Sequence, residues 1–329
     1  MFNNLVNAGD FIRLYEKFRQ GYGTRILSMF NRERMGRVKA AWQHTGHPPK
    51  HWGSIPAVKR RWNALITGDS DLPPPPYVAR KYFTAAKPLN ALSVGCGTGR
   101  NEIRWAKTGV FQHIEAFDLS AERIEAARRY AEEEGLAEQV HFFTADMYHL
   151  KVLEAHYDVI LAENALHHFT PLAEAIARLD RMLKPGGYFI LRDFVGPSRF
   201  QWTPRQLEVV EALLTLLPEH YRTRWGTGSV KRRFYRPGRL SMLLSDPSEA
   251  AESASILPLL RLQFDNVEHH DLGGTILQLV FDDIAHHFLN DDETTQALLD
   301  LCFHTEDVLL ATGVVTSDFA FSIFRKPAI

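Results

Sequence analysis

Short apolar strands alternate with amphipathic helices between Ala91 and Val195, and this alternation constrains the fold more than any other feature of the chain. Strands that alternate with helices of roughly 10 to 15 residues pair in parallel, because each crossover returns the chain to the same edge of the sheet. Two later strand-like runs, 265–272 and 319–327, extend the sheet. The sequence therefore predicts an α/β fold with a doubly wound, mostly parallel sheet of seven strands.

The segments on either side of this core have a different character. Residues 1–76 carry apolar residues at helical spacing and end in DLPPPPY, where Pro73 to Pro76 favour an extended connector over a helix. Residues 77–198 hold the alternating core. Residues 199–329 read as a helical lid or insertion that also contributes the last strands. We therefore expect three regions along the chain.

Composition excludes several other classes of protein. Of the 329 residues, 45% are hydrophobic and 23% are charged, as in ordinary globular domains. No apolar run approaches the roughly 20 residues of a membrane-spanning helix, and the N-terminus lacks a secretory pattern. We expect a cytoplasmic protein that does not enter a membrane.

Metal and disulfide chemistry are not expected from this sequence. Cys96 and Cys302 are two thiols far apart in the chain, which gives neither a disulfide framework nor a zinc-ligand spacing. Adjacent histidines at 269–270 and 286–287 point to different faces of a strand or helix, so neither pair forms a facing ligand pair. No metal ligand is therefore predicted.

A glycine-rich turn follows the first strand of the core. Gly95, Gly97 and Gly99 alternate with Cys96 and Thr98 in LSVGCGTGR. Glycine permits positive φ angles and close approach of a ligand to the backbone, and the helix that follows offers unpaired N–H groups. Because ligands of open α/β sheets bind at the carboxyl ends of the strands, the turn is a candidate cofactor loop.

Acidic residues end the next strands. Asp118 comes nineteen residues after the last glycine of the turn, a spacing that suits an acid on ribose hydroxyls. Asp146 ends the third strand, where a carboxylate can accept the exocyclic amine of an adenine while Leu119 and Met147 pack on its faces. The fourth strand ends in the dipeptide 163–164, which can hold a charged amino-acid tail.

These pieces together resemble the Rossmann-like class of S-adenosylmethionine (SAM)-dependent methyltransferases. The resemblance covers about Ala91 to Val195 and rests on VGCGTGR, AFDLS, TADM, AENALHHF and RMLKPGGYFILRDF. It implies SAM as cofactor, with the glycine turn at the methionine part, Asp118 on the ribose and Asp146 at the adenine. The candidate cofactor residues are Gly95, Cys96, Gly97, Gly99, Asp118, Leu119, Asp146, Met147, Glu163 and Asn164. The whole chain also resembles uncharacterised bacterial methyltransferases through the pattern DPSEA…ILPLL…LGGT…SDFAF.

A hydroxyl acceptor would need a base, and three residues of the core are candidates. His167 and His168 follow the fourth strand near the expected methyl position, and an imidazole can take a proton near neutral pH. Asp193 ends the fifth strand, on the side where this class binds the acceptor. Structural hydrogen bonding is the alternative role for all three.

The sequence favours methyl transfer to a small-molecule acceptor, with oxygen as the nucleophile, and leaves other functions open. The basic stretch 222–239 interleaves Trp225, Phe234 and Tyr235 with cations, which suits RNA or a carrier-bound anionic substrate. A non-catalytic SAM-binding module and a homodimer also remain open. A nicotinamide dehydrogenase is disfavoured, because Arg100 stands where G-x-G-x-x-G has its last glycine.

Overall fold

The computed structural model describes residues 4–7, 9–12, 15, 51–83 and 87–328, which fall into two compact units. The core unit comprises Asn63–Val195, Ala250–His270 and Ala320–Ile329. The companion unit comprises Met1–Trp62, Gly196–Glu249 and Asp271–Phe319. Most of the helical region predicted before residue 51 lies outside the described residues.

A sheet of seven strands has the order β3-β2-β1-β4-β5-β7-β6. The strands are β1 Leu89–Val94, β2 Phe111–Asp118, β3 Val140–Thr144, β4 Tyr157–Glu163, β5 Leu183–Phe194, β6 Asp265–Gly273 and β7 Phe319–Arg325. The first five pair in parallel. β7 runs antiparallel to β5, since the N–H of Gly186 donates to the carbonyl of Lys326 and the N–H of Lys326 donates to that of Gly187. The predicted α/β class and strand number are confirmed, and the sheet is mixed.

Ten α-helices are described over their whole length, and the described residues 9–12 and 15 are helical as well. The ten are α1 Pro56–Thr67, α2 Pro74–Tyr82, α3 Arg100–Ala106, α4 Ala121–Glu133, α5 Leu172–Met182, α6 Pro204–Leu216, α7 Arg239–Ser245, α8 Ile256–Gln263, α9 Leu277–Phe281 and α10 Glu293–Ala311. Among the described residues, none of these is both long and apolar enough to cross a bilayer.

The prediction of an extended connector at the four prolines is wrong. Pro74, Pro75 and Pro76 form the first turn of α2, and only Pro73 keeps an extended conformation, as the N-terminal cap. The first N–H groups of a helix have no intrahelical partner, so a residue without an N–H fits there without losing a hydrogen bond.

The segment Lys184–Gly187 lies inside β5. Leu183 is opposite Tyr157 and Tyr188 is opposite Val159, so the register shifts between these pairs. Between these two pairs β4 advances by two residues and β5 by five, so regular pairing is interrupted, and Gly186 within that stretch has a φ of 75°. Helix α5, which precedes β5, ends at Met182.

The core lies where apolar side chains of the central strands meet α5 and α8. Leu92 and Ile160 from the sheet and Ile176 and Leu260 from the helices have essentially no exposed surface. Central parallel strands are covered on both faces, which explains why β1 and β4 read as nearly continuous apolar runs. This packing fixes the carboxyl ends of β1 and β4 next to each other.

The companion unit has its own buried polar centre. Glu306 on α10 has no exposed surface and accepts hydrogen bonds from the N–H groups of Gly274, Ile276 and Leu277. The carboxylate therefore caps the start of α9, where three N–H groups converge.

Several cations of the basic stretch 222–239 have partners inside the companion unit. Lys231 is fully buried and donates to the carbonyls of Leu279 and Val280. Arg224 pairs with Asp283 at 3.1 Å, and Arg233 pairs with Glu211 at 3.2 Å. These contacts account for part of the positive charge that the sequence shows there.

Candidate cofactor and active site

The glycine turn joins β1 to α3, and its shape requires glycine at three positions. Gly95, Gly97 and Gly99 have φ angles of 64°, 56° and 77°, which disfavour any residue with a Cβ. A Cβ on Gly95 would lie 2.9 Å from the Cβ of Ala165, and one on Gly99 would lie 2.6 Å from a ring carbon of Phe142. At Gly97 the nearest atom is 3.8 Å away. The backbone of Gly97 is therefore open to a ligand.

Asp118 is bound to this turn through its carboxylate. The N–H of Gly97 donates to Oδ2 at 2.9 Å, and the N–H of Ser120 donates to Oδ1 at the same distance. Ser120 also caps α4, because its side chain accepts from the N–H of Arg123. Each carboxylate oxygen keeps a second lone pair, so hydroxyl groups of a ribose can still be accepted.

The loop after β3 carries the predicted adenine site. The N–H of Tyr148 donates to Oδ1 of Asp146 at 2.9 Å, and Nδ1 of the exposed His149 lies 3.0 Å from Oδ2. The backbone of the loop is held from α5, because Nε of Arg178 donates to the carbonyl of Met147 at 3.0 Å. The Met147 side chain is 1% exposed and belongs to the core, whereas Leu119 is only partly buried.

At the end of β4, Glu163 is held from two sides. Nε1 of Trp105 donates to Oε1 at 2.6 Å, and Arg192 from β5 donates to Oε2 at 2.5 Å. The next residue, Asn164, is exposed and has a positive φ of 54°, and its N–H donates to the carbonyl of Arg192. A cation and an anion thus stand side by side where the sequence predicts the amino-acid tail.

His167 and His168 lie on a 3₁₀ turn, Leu166–His168, that follows β4. Oδ1 of Asp193 is hydrogen-bonded to Nδ1 of His167. Oδ2 accepts hydrogen bonds from the N–H groups of Ala165 and Leu166 at 3.1 and 2.7 Å. Asp193 is fully buried, and its carboxylate is hydrogen-bonded to His167 and to backbone N–H groups. It acts on its surroundings through His167.

The two histidine rings lie 3.9 Å apart between centroids. Burial, together with the neighbouring His167, lowers the pKa of His168 well below its ordinary value. His168 is therefore neutral at physiological pH and a weaker base than an ordinary histidine.

Cys96 occupies the glycine turn but has no features of a reactive thiol. Burial, followed by the nearby carboxylates of Glu102 and Asp118, raises the pKa of the Cys96 thiol well above its ordinary value. Cys96 contributes to the turn through its backbone, because its N–H donates to the carbonyl of Phe117 at 3.0 Å.

Sequence reasoning missed Glu102 on the first turn of α3. This side chain is buried, and its Oε1 accepts a hydrogen bond of 2.6 Å from the hydroxyl of Ser93 on β1. Burial raises the pKa of Glu102 to about 7; the Ser93 hydrogen bond opposes the shift, and the charges of Glu163 and Asp118 add to it. The one signal in the sequence is Ser93, a hydroxyl residue inside an apolar strand.

Comparison with known proteins agrees with this geometry. Residues 91–187 match the profile of the family described as Methyltransferase domain. Over 104 residues the chain is 32% identical to 27-O-demethylrifamycin SV methyltransferase of Amycolatopsis mediterranei, covering 32% of this chain and 38% of that protein. Over 115 residues it is 30% identical to demethylmenaquinone methyltransferase of Leptospira interrogans, covering 35% and 46%.

An uncharacterized protein of Synechococcus is 30% identical over 155 residues, which cover 44% of this chain and 37% of that protein. The chain therefore spans less than half the length of each of these three relatives. The profile match begins within β1, ends within β5 and includes the glycine turn and the acids that end β2 and β4. Residues 91–187 are thus a methyltransferase domain of the Rossmann-like, SAM-dependent class.

Proposed function

We propose that the protein transfers a methyl group from SAM to a small-molecule acceptor, and that the accepting atom is an oxygen. The class of the domain at residues 91–187 implies SAM as the cofactor. The names of two relatives, 27-O-demethylrifamycin SV methyltransferase and demethylmenaquinone methyltransferase, support a small molecule as acceptor. The observation that carries the choice of oxygen is the pair of His167 and Asp193 beside the glycine turn.

The residues of the turn fit SAM. Beside Gly97 there is room for a ligand to approach the backbone closely, as SAM would have to do there. The residues around it are acidic, since Asp118 ends β2, Asp146 lies in the loop after β3 and Glu163 ends β4, and SAM has a net positive charge. We assign the ribose to Asp118, the adenine amine to Asp146, and the methionine tail to Glu163 and Asn164.

When bound, SAM would supply a methyl group on a positively charged sulfur; a nucleophile attacks the methyl carbon in line with the C–S bond, and the sulfur leaves as a neutral thioether. A hydroxyl nucleophile must lose its proton, which calls for a base. Asp193 only accepts hydrogen bonds, so His167 donates its Nδ1–H and its Nε2 becomes the basic nitrogen. As in catalytic triads, the carboxylate also stabilises the imidazolium that forms.

The position of the pair supports this role. Ala165 packs against Gly95, with its Cβ only 2.9 Å from where a Cβ of Gly95 would be, so the segment that carries His167 touches the glycine turn. The buried Asp193 fixes that segment through backbone N–H groups as well as through the imidazole. One carboxylate thus sets both the turn and the tautomer of the base.

Labelling with methyl-tritiated SAM tests the proposal. We expect purified protein, incubated with SAM and a cell extract, to place label in the small-molecule fraction, and the labelled product to contain a methyl ether or ester. Label in RNA or on a macromolecular carrier would contradict the small-molecule assignment. Binding of SAM without label in any fraction would mean a SAM-binding module without catalysis.

A further inference from the structure

One carboxylate oxygen of Glu102, close in sequence to the glycine turn, is buried without a hydrogen-bond partner among the described residues. The residue follows Gly99 by three positions and is 3% exposed. Its Oε1 accepts from Ser93, whereas its Oε2 is buried and accepts no hydrogen bond from the residues that the structure describes. A buried polar atom without a partner is destabilising and uncommon in folded proteins, so it points to a function.

The surroundings of Glu102 are acidic. The titratable groups that face it are Asp118 from β2, Glu163 from β4 and the thiol of Cys96 from the turn. Among the described residues, no lysine, arginine or histidine forms an ion pair with Glu102, and Arg192 is paired with Glu163 instead. A carboxylate in such a place binds a proton more readily than one in water, and the arrival of a positive charge favours its ionised form.

We propose that Glu102 is a positioning residue for SAM, which is partly protonated without SAM and fully ionised when SAM binds at the glycine turn. The proposal rests on the function proposed above for that turn. SAM carries a sulfonium and an ammonium against one carboxylate, and S-adenosylhomocysteine has lost the sulfonium charge. Binding of SAM therefore drives the proton of Glu102 to the solvent, and binding of the product drives it less.

The affinity for SAM should depend on pH through the protonation of Glu102. Because burial places the pKa of free Glu102 at about 7, SAM binds an ionised site above pH 7 and must displace a proton below it. The affinity for SAM is therefore highest above pH 7 and decreases as the pH is lowered below 7. We expect the Kd for SAM to be about tenfold higher at pH 6 than at pH 8, and that for S-adenosylhomocysteine to change less.

Calorimetry in pairs of buffers with different ionisation enthalpies measures the released protons directly. For the full chain we expect about half a proton released per SAM bound at pH 7, and close to none at pH 8.5. Glu102→Gln keeps a hydrogen-bond partner for Ser93 but cannot ionise. It should release no proton and bind SAM about tenfold more weakly at pH 8.

Two control variants separate Glu102 from its neighbours. Glu125→Gln removes an exposed acid of α4 that pairs with Arg128, and should leave proton release unchanged. His149→Gln removes the titratable group that contacts Asp146, and should also leave it unchanged. Thermal melting should show Glu102→Gln to be at least as stable as the wild type, which a merely structural role for the carboxylate would not give.

SAM binding by the wild type without proton release at pH 7 would overturn the inference while leaving the cofactor site intact. Unchanged SAM affinity in Glu102→Gln would overturn it as well. If the variant fails to fold, the wild-type buffer pairs still decide the question. Absence of SAM binding at every pH would contradict both this inference and the function proposed for the turn.

Discussion

His167 and Asp193 are the residues on which the proposed acceptor chemistry depends. Asp193 accepts from three backbone N–H groups, those of Ala165, Leu166 and Phe194, in addition to its contact with His167. Such a carboxylate cannot rotate without losing several hydrogen bonds, so the imidazole it holds is also fixed. Fixed orientation of a base is worth several kcal/mol in a displacement reaction.

Replacing the base should affect the chemical step and leave cofactor binding intact. We expect His167→Gln to lower kcat roughly 100-fold, because the amide of glutamine cannot take the proton as an imidazole does, with the Kd for SAM within about threefold of the wild type. Single-turnover kinetics and calorimetry measure the two effects separately. His156→Gln, on an exposed residue before β4, is the matched control and should keep full activity. Wild-type kcat in His167→Gln would show that the acceptor needs no base there.

The role of Asp193 can be separated from that of His167 by stability. Asp193→Asn replaces an acceptor of three backbone N–H groups by an amide that accepts through one oxygen only. We expect unfolding in denaturant to show a loss of about 1–3 kcal/mol, together with the loss of activity. His167→Gln should lose less stability, because the backbone contacts of Asp193 remain. Equal stability of Asp193→Asn and the wild type would contradict the capping role.

The sequence predicts some single residues well and others poorly, for physical reasons. Gly95 and Asp118 are predictable because a tight turn and the end of a strand fix where their backbones lie. Glu102 is not, since an acid in the first turn of a helix usually lies in solvent, where the helix dipole favours it. Only the packing of α3 against β1 buries it. Asp193 stands beside another charged residue on β5, and the sequence does not tell which of the two faces inward.

At the scale of elements, α5 supports the loop that carries Asp146. Arg178 donates from Nε to the carbonyl of Met147 and from its terminal nitrogen to the carbonyl of Leu150. The loop has an Asx-type turn of its own, through the N–H of Tyr148. The arginine therefore links the position of the predicted adenine site to a helix packed in the core.

Removal of this link should weaken cofactor binding from a distance. We expect Arg178→Ala to raise the Kd for SAM roughly five- to tenfold, as the loss of one or two buried hydrogen bonds implies, and to speed amide hydrogen exchange over 146–150. Arg181→Ala, on the same helix, breaks only an exposed pair with Glu154 and is the control that should change neither. An effect of equal size in both variants would mean that the helix as a whole, not this contact, matters.

Element types were predictable from periodicity, while their ends were not. α4 is an exception, since it begins directly after the capping side chain of Ser120, and such a cap acts locally. Pro74 to Pro76 open a helix because α2 has a face to bury, with Val78 and Ala79 inside the core unit. The extension of β5 back to Leu183 depends on pairing with Tyr157, a contact between distant parts of the chain that no local rule anticipates.

For the molecule as a whole, the profile of the methyltransferase domain covers residues 91–187 and leaves the companion unit unmatched. The seven-stranded sheet was predictable, because alternation of strands and helices leaves few topologies. The packing of the companion unit was not. Its basic stretch looked like a surface for anions, yet Lys231 is buried there on backbone carbonyls.

Both proposals require that SAM binds at the glycine turn, beside the acids that end or follow β2, β3 and β4. Calorimetric titration of the full chain with SAM, beside Asp118→Ala and a nicotinamide dinucleotide, tests it most directly. We expect stoichiometric binding of SAM, at least tenfold weaker binding by Asp118→Ala, and no heat from the dinucleotide. No heat from SAM, with saturable binding of the dinucleotide, would contradict it.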